Sequence, residues 1–169
     1  MKIEALVFDL GGVVIEIDFD RVFARWAQLA GVDFAHVNAH FSHGEAYQAH
    51  ERGEIDAATY FQSLRDTLGI DLADADFEDG WQRLFGPEIA GTVELLRQLE
   101  GRVPQYLFSN TNRVHHDFWS VRHAAALAPL HRHFVSCEMG VRKPEREAFE
   151  YVAREIGRAS CRERVYDDV

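Results

Sequence analysis

The sequence predicts an α/β protein: a Rossmannoid parallel sheet with a block of helices inserted into it. Three observations predict this. Residues 3–8 form an apolar run of strand length that ends at Asp9, with Gly11-Gly12 just beyond. A run apolar on nearly every position suits a strand covered on both faces, as in parallel sheets. From residue 21 to residue 84 the apolar residues fall at helical spacing, with no convincing strand. Strand-like runs then return at residues 103–108 and 133–137, with helical stretches at 92–99 and 145–154. Alternating strands and helices are the signature of a doubly wound sheet, whose ligands sit at the carboxyl ends of strands.

The elements follow in order. After the first strand, residues 13–17 stay apolar, and Asp18 and Asp20 bracket Phe19. Val22, Phe23, Trp26 and Leu29 share one helix face, and Gly31 is a suitable stop. Residues 57–68 and 76–85 also read as amphipathic helices. In residues 92–99, Val93, Leu96 and Leu99 share a face. The strand at 103–108 runs into Ser109-Asn110-Thr111-Asn112, and a third strand is expected at 133–137. Pro144 is placed in the first turn of a helix over 145–154, where its missing N–H costs nothing. The division this gives is a discontinuous core, 1–16 and 88–169, and a helical cap, 17–87.

Composition narrows the function. Of 169 residues, 47% are hydrophobic and 27% charged, as in globular proteins. A net charge of −10 argues against nucleic acid as a partner, because phosphate backbones need a positive face. It leaves room for a small phosphorylated substrate whose charge a metal neutralises locally. Cys137 and Cys161 are the only cysteines and neither lies in a CxxC, which fits a reducing cytoplasm. The acidic start is no signal peptide, and no apolar run approaches the roughly 20 residues of a membrane span. A cytoplasmic monomer is expected.

Four places carry chemistry. Asp9 stands where a buried strand turns sharply through glycines, so its carboxylate can face a crevice, although a carboxylate that merely caps such a turn is common. A dinucleotide fingerprint is excluded because GxGxxG is absent. Ser109 and Asn110 offer short donors suited to a phosphoryl oxygen, or, with Thr111 and Asn112, a helix cap. Lys143 precedes a helix start, where a cation and the helix terminus can share a phosphate; it is the only lysine besides Lys2. Asp167-Asp168, after Val165-Tyr166, could supply oxygen ligands to Mg²⁺ or could be a polar terminus. The nine histidines include His36/His40 and His115-His116, but no three or four converge by spacing as zinc requires. They read as surface or cap residues. His43, Glu45, His50 and Glu51 lie in the cap stretch best placed to overhang the site.

Taken in order, strand–Asp–x–Gly, strand–Ser–Asn, Lys–Pro–helix and strand–Asp–Asp resemble the four motifs of the haloacid dehalogenase (HAD) superfamily. The stretches Phe8-Asp9-Leu10-Gly11, His50-Glu51-Arg52-Gly53-Glu54-Ile55, Ser109-Asn110-Thr111-Asn112-Arg113 and Arg142-Lys143-Pro144-Glu145 are similar to its glucose-1-phosphate phosphatases. The resemblance implies a HAD-like Rossmannoid core with a helical cap, hydrolysing a small phosphate monoester such as glucose 1-phosphate. Asp9 would be the nucleophile, forming an aspartyl-phosphate. Ser109, Asn110 and Lys143 would hold the phosphoryl group. Mg²⁺ would bind the Asp9 carboxylate, the Gly11 carbonyl and Asp168, with Asp167 in support. One residue departs from the pattern: Gly11 stands where most of these phosphatases have an aspartate general acid. The departure fits a sugar 1-phosphate, whose anomeric leaving group depends less on protonation. A dehalogenase is disfavoured, since that branch has a larger side chain at this place. The alternative is an impaired fragment or a binding protein on the same fold. Residues 155–165 are polar and arginine-rich where the next sheet strand belongs, and the string reads as artificial. The core is therefore expected to lack its C-terminal part, leaving a marginally folded chain of weak or no activity.

Overall fold

The computed structural model describes residues 3–157. Asp167, Asp168, Cys161 and the doubtful strand before the aspartates lie outside the described residues. In chain order the elements are β1 (Leu6–Phe8), β2 (Ile15–Ile17), α1 (Phe19–Ala30), α2 (Phe34–His40), α3 (Glu45–Glu51), α4 (Ala57–Leu68), α5 (Asp74–Gln82), β3 (Phe85–Glu88), α6 (Ala90–Leu99), β4 (Gln105–Ser109), α7 (Arg113–Arg122), α8 (Ala124–Leu127), β5 (Arg132–Val135), α9 (Ser136–Met139) and α10 (Arg146–Glu155).

Three strands make the parallel sheet, in the order β1-β4-β5. Leu6 pairs with Gln105, Phe8 with Leu107 and Ser109 with Val135. That register places Asp9 and Ser109 side by side at the carboxyl ends of adjacent strands. The strands are shorter than their apolar runs. Pro104 has no N–H for a ladder, although its carbonyl accepts from Leu6 N–H (2.9 Å), so β4 begins at Gln105. Val135 ends β5, because the backbone curls at Ser136 into one helical turn closed by Gly140. Ile3 and Val7 are 66% and 43% exposed, against the double burial expected of the first run. Among the described residues β1 has a ladder partner on one side only.

Between β2 and β3 lie five helices. Asp18 caps α1 by accepting from Asp20 N–H, and Gly31 ends it. Their apolar faces meet around two indoles: Trp26 stacks on Trp81 at 5.4 Å and donates to the Phe77 carbonyl (3.0 Å). Trp26, Trp81, Phe77, Tyr60 and Phe61 are each 2% exposed or less. Burying one such aromatic contributes on the order of 1.5–3 kcal/mol. Gly80, inside α5, is required by this packing, since a Cβ there would fall on the Trp26 ring. None of the described helices is long and apolar enough to cross a membrane.

Two features depart from the sequence expectation. The residues flanking the helical block pair as an antiparallel ribbon, Ile15 with Glu88 and Ile17 with Phe85. The helix expected to 85 therefore stops at Gln82, and Phe85 enters a strand. Pro144 is not in the first turn of α10. It follows Lys143 through a cis peptide, and the helix begins at Arg146. α10 covers one face of the sheet, packing Ala148 and Val152 on Phe108 and Phe134.

Candidate active site

A cleft of about 180 Å³ opens at the carboxyl ends of β1 and β4. Asp9, Gly11, Ser109, Asn110 and Lys143 all line it. Residues 134 positions apart in sequence are thus brought to one place by the register of the parallel strands.

Asp9 and Lys143 form its polar centre. Asp9 Oδ1 accepts from Leu10 N–H (2.7 Å), which leaves Oδ2 to meet Lys143 Nζ at 2.7 Å. The ammonium also donates to the Phe108 carbonyl (2.9 Å) and lies 5.1 Å from the Phe108 ring centre. The segment carrying it is fastened by Asn110. The Asn110 side-chain oxygen accepts from Lys143 N–H (2.8 Å) and its amide donates to the Lys143 carbonyl (2.9 Å). Asn110's side chain therefore positions the lysine, with one amide N–H still free of these two bonds.

The stretch Ser109-Asn110-Thr111-Asn112 divides between the two roles open to it. Ser109, 4% exposed, sits in the cleft with its hydroxyl donating to the Asn110 carbonyl (3.3 Å). Asn112 caps α7, accepting from His115 N–H (3.0 Å). Thr111 is locked to Ser136, which accepts from its N–H (2.8 Å) and donates to its carbonyl (3.0 Å).

Of the four cap residues singled out in the sequence, only Glu51 lines the cleft. His50 is buried against Tyr60, with ring centres 4.5 Å apart, and burial pushes its pKa down to about 4. His43 packs edge-on against Phe19 and Tyr47. Glu45 is exposed. Glu51 Oε2 accepts from Arg142 Nε at 2.8 Å, a pair largely withdrawn from solvent. Burial raises the Glu51 pKa, and Arg142 opposes that shift. Tyr47, one turn earlier in α3, also lines the cleft, and burial together with the Glu51 charge moves its phenol well above the ordinary range.

Sequence reasoning missed Tyr47, Arg142 and His115 as parts of this site. Tyr47 could have been found from its spacing, four residues before Glu51 on one helix face. His115 also lines the cleft. Complete burial lowers its pKa to about 3, so it is neutral at ordinary pH. Its Nε2 lies 3.1 Å from the Trp81 carbonyl, which can only accept, so Nε2 carries the proton and Nδ1 accepts from the Asn112 amide at 3.2 Å. That histidine is a wall of the site, not an acid. His36 and His40 are likewise engaged with backbone, Nε2 of His36 donating to Leu68 O and Nδ1 of His40 to His36 O, both at 2.7 Å.

A divalent cation suits one corner. The Asp9 carboxylate and the Gly11 backbone are adjacent, and hard oxygen donors are what Mg²⁺ takes. Among the described residues no group of three or more His, Cys, Asp or Glu could by itself hold a metal, so a complete shell needs further ligands.

No model of a known protein family matches the chain. It is 24% identical over 158 residues to a D-ribitol-5-phosphate phosphatase of Bacteroides thetaiotaomicron, an alignment covering 90% of this chain and 77% of the relative. Among solved structures, a HAD-family enzyme of the same organism, in complex with magnesium and inorganic phosphate, superposes with a TM-score of 0.78 at 25% identity. The match covers 93% of this chain and 80% of that one. The L-2-haloacid dehalogenase of Xanthobacter autotrophicus shares the fold more distantly, with a TM-score of 0.64 at 17% identity over 92% of this chain and 66% of its own. With its parallel sheet, its helices inserted after the first strand and its cleft at the strand ends, the chain has the fold of the haloacid dehalogenase superfamily.

Proposed function

We propose that the chain is a Mg²⁺-dependent hydrolase of small phosphate monoesters, with a sugar or polyol phosphate as substrate. The observation that carries this is the 2.7 Å approach of Asp9 Oδ2 and Lys143 Nζ in a cleft that Ser109 shares. A carboxylate with one oxygen pinned and the other beside a cation can attack phosphorus while the cation takes the phosphoryl charge. The Asp9 oxygen forms a bond to phosphorus as the ester oxygen leaves with its electrons. Water then attacks the acyl phosphate, restoring the carboxylate and releasing phosphate. Ser109 and Lys143 orient the transferring group, so positioning and charge neutralisation do most of the catalysis. Mg²⁺, held by Asp9 and the Gly11 carbonyl with Asp167 and Asp168 completing the shell, would supply additional charge neutralisation on the phosphoryl oxygens. The division into a core, 1–16 and 88–169, and a cap, 17–87, belongs to the same proposal.

The related D-ribitol-5-phosphate phosphatase widens the substrate class beyond glucose 1-phosphate to open-chain polyol phosphates. The test is phosphate release from phenyl phosphate, glucose 1-phosphate and ribitol 5-phosphate with Mg²⁺. Turnover of at least one ester, abolished by EDTA and restored by added Mg²⁺, is expected. Turnover undiminished by EDTA, or no release from any of the three by a chain that melts cooperatively, overturns the proposal.

Gly11 supplies a second measurable consequence. A Cβ at Gly11 would meet Ile17 Cδ1 at 2.9 Å, and Ile17 is 41% exposed. The end of a flexible, half-exposed side chain can swing aside, so Gly11→Asp should fold and place a proton donor beside Asp9. General acid catalysis contributes about 10²–10⁴-fold where the leaving group needs a proton. Ribitol 5-phosphate, which leaves as an ordinary alkoxide, should gain roughly 10-fold or more over glucose 1-phosphate in kcat/KM. An unchanged ratio of the two would refute this account of Gly11.

A further inference from the structure

We propose that Glu51 is the residue that selects a hydroxyl-bearing leaving group in the cleft, an inference that rests on the phosphatase reading and names its specificity determinant. The cleft is sorted by charge. At one end Lys143 faces Asp9. Among the described residues, Glu51 is the one acidic residue besides Asp9 that lines it. Lys143, and the Mg²⁺ that Asp9 would hold, draw the phosphoryl group to the Asp9 end, which leaves the alcohol toward α3.

The chemistry of Glu51 fits the alcohol end. A carboxylate has about four lone-pair sites and no donor. Arg142 Nε takes one. Among the described residues no further donor is bonded to Glu51, so its remaining lone pairs are open to a donor that enters the cleft, and hydroxyl groups are the donors a sugar or polyol carries. The carboxylate is held rather than mobile, its side chain 7% exposed and its partner Arg142 17% exposed. Arg142 is itself fixed, its backbone N–H donating to Glu145 Oε2 (3.2 Å). A site with a fixed, partly satisfied acceptor discriminates strongly against a ligand that leaves it unpaired. Phenyl phosphate has no hydroxyl in its leaving group and cannot use Glu51.

The test compares wild type with Glu51→Gln and Glu51→Asp. Glutamine keeps the shape and an oxygen for Arg142 but loses the charge and two acceptor sites. Aspartate keeps the charge and draws it back from the cleft. The kcat/KM for ribitol 5-phosphate, relative to phenyl phosphate, should fall about 10- to 100-fold in both variants, the loss expected when a hydrogen bond to a charged group goes. The change should lie mainly in KM. Calorimetric titration of ribitol 5-phosphate in EDTA, which needs no turnover, should show affinity falling by a similar factor, while phenyl phosphate loses less. Melting temperatures of the variants check that they fold. If both esters fall by one common factor in rate and in affinity, Glu51 is only a fastening between α3 and the Lys143 segment, and the proposal is overturned. If wild type hydrolyses neither ester but binds ribitol 5-phosphate in a Glu51-dependent way, the phosphatase reading fails and the recognition role stands.

Discussion

Asp9→Asn is expected to remove phosphate release, lowering kcat by roughly 10⁴–10⁶-fold, the scale on which loss of a catalytic nucleophile is felt. The amide matches the carboxylate in size, so the cleft should keep its shape. Three things change together. The amide nitrogen has no lone pair to offer, and the amide oxygen is a poor nucleophile. The partner of Lys143 Nζ, now at 2.7 Å from Oδ2, loses its charge. One of the oxygen donors for Mg²⁺ is weakened. The measurement is steady-state phosphate release from whichever ester wild type prefers, together with a search for ³²P on the chain after rapid acid quench. Wild type should carry an acid-stable, hydroxylamine-labile label and the variant none. Wild-type turnover in Asp9→Asn would rule out covalent catalysis at this residue.

Gly53→Ala is expected to have the largest effect on stability, about 3 kcal/mol or more. Gly53 follows α3 with φ +69, a conformation that itself costs a non-glycine residue about 1–2 kcal/mol. A Cβ there would also fall inside contact distance of the Cys137 carbonyl oxygen. That atom is backbone, inside α9, and cannot turn aside as a side chain would. Gly69→Ala is the control. Gly69 has φ +63 but nothing within 4 Å of an added Cβ, so only the conformational cost applies. Against a total of about 5–15 kcal/mol, urea unfolding should separate the two variants clearly. A Gly53→Ala variant within about 1 kcal/mol of Gly69→Ala would mean that α3 is not seated tightly on the Cys137 turn.

The parts of this molecule that were legible in the sequence are those whose signal is local. β1 and β4 announce themselves because their runs are apolar at consecutive positions and stop at a polar residue, although only β4 is mostly buried. α4 runs over the predicted residues because Asp56 caps one end, accepting from Thr59 N–H, and Gly69 closes the other. The β2–β3 ribbon is invisible at that level. Its strands are three and four residues long, and one of them reads Phe85-Gly86-Pro87-Glu88, so pairing and not propensity makes it a strand. α7 hides because one of its inward residues is a histidine, His115, where periodicity expects an apolar side chain.

The site divides in the same way. Asp9, Ser109 and Lys143 could be named from ordered motifs. The Glu51–Arg142 pair spans 91 residues and leaves no pattern in either segment. The sequence shows Asn110 as a phosphate donor, and the structure adds a second role for its side chain, fastening the backbone of Lys143. Which partner it takes depends on how close the Lys143 segment passes, and that is set by β1, β4 and α10 together.

The two hydrogen bonds between the Asn110 side chain and the backbone of residue 143 imitate a rung of a β-ladder, with an amide side chain standing in for a peptide. Fixing one residue's backbone forfeits about 1–2 kcal/mol of conformational entropy. Here that loss falls on folding, before any ligand arrives. A phosphate entering the cleft then meets a lysine whose main chain is already immobile, and little of the attraction between them is consumed in ordering the loop.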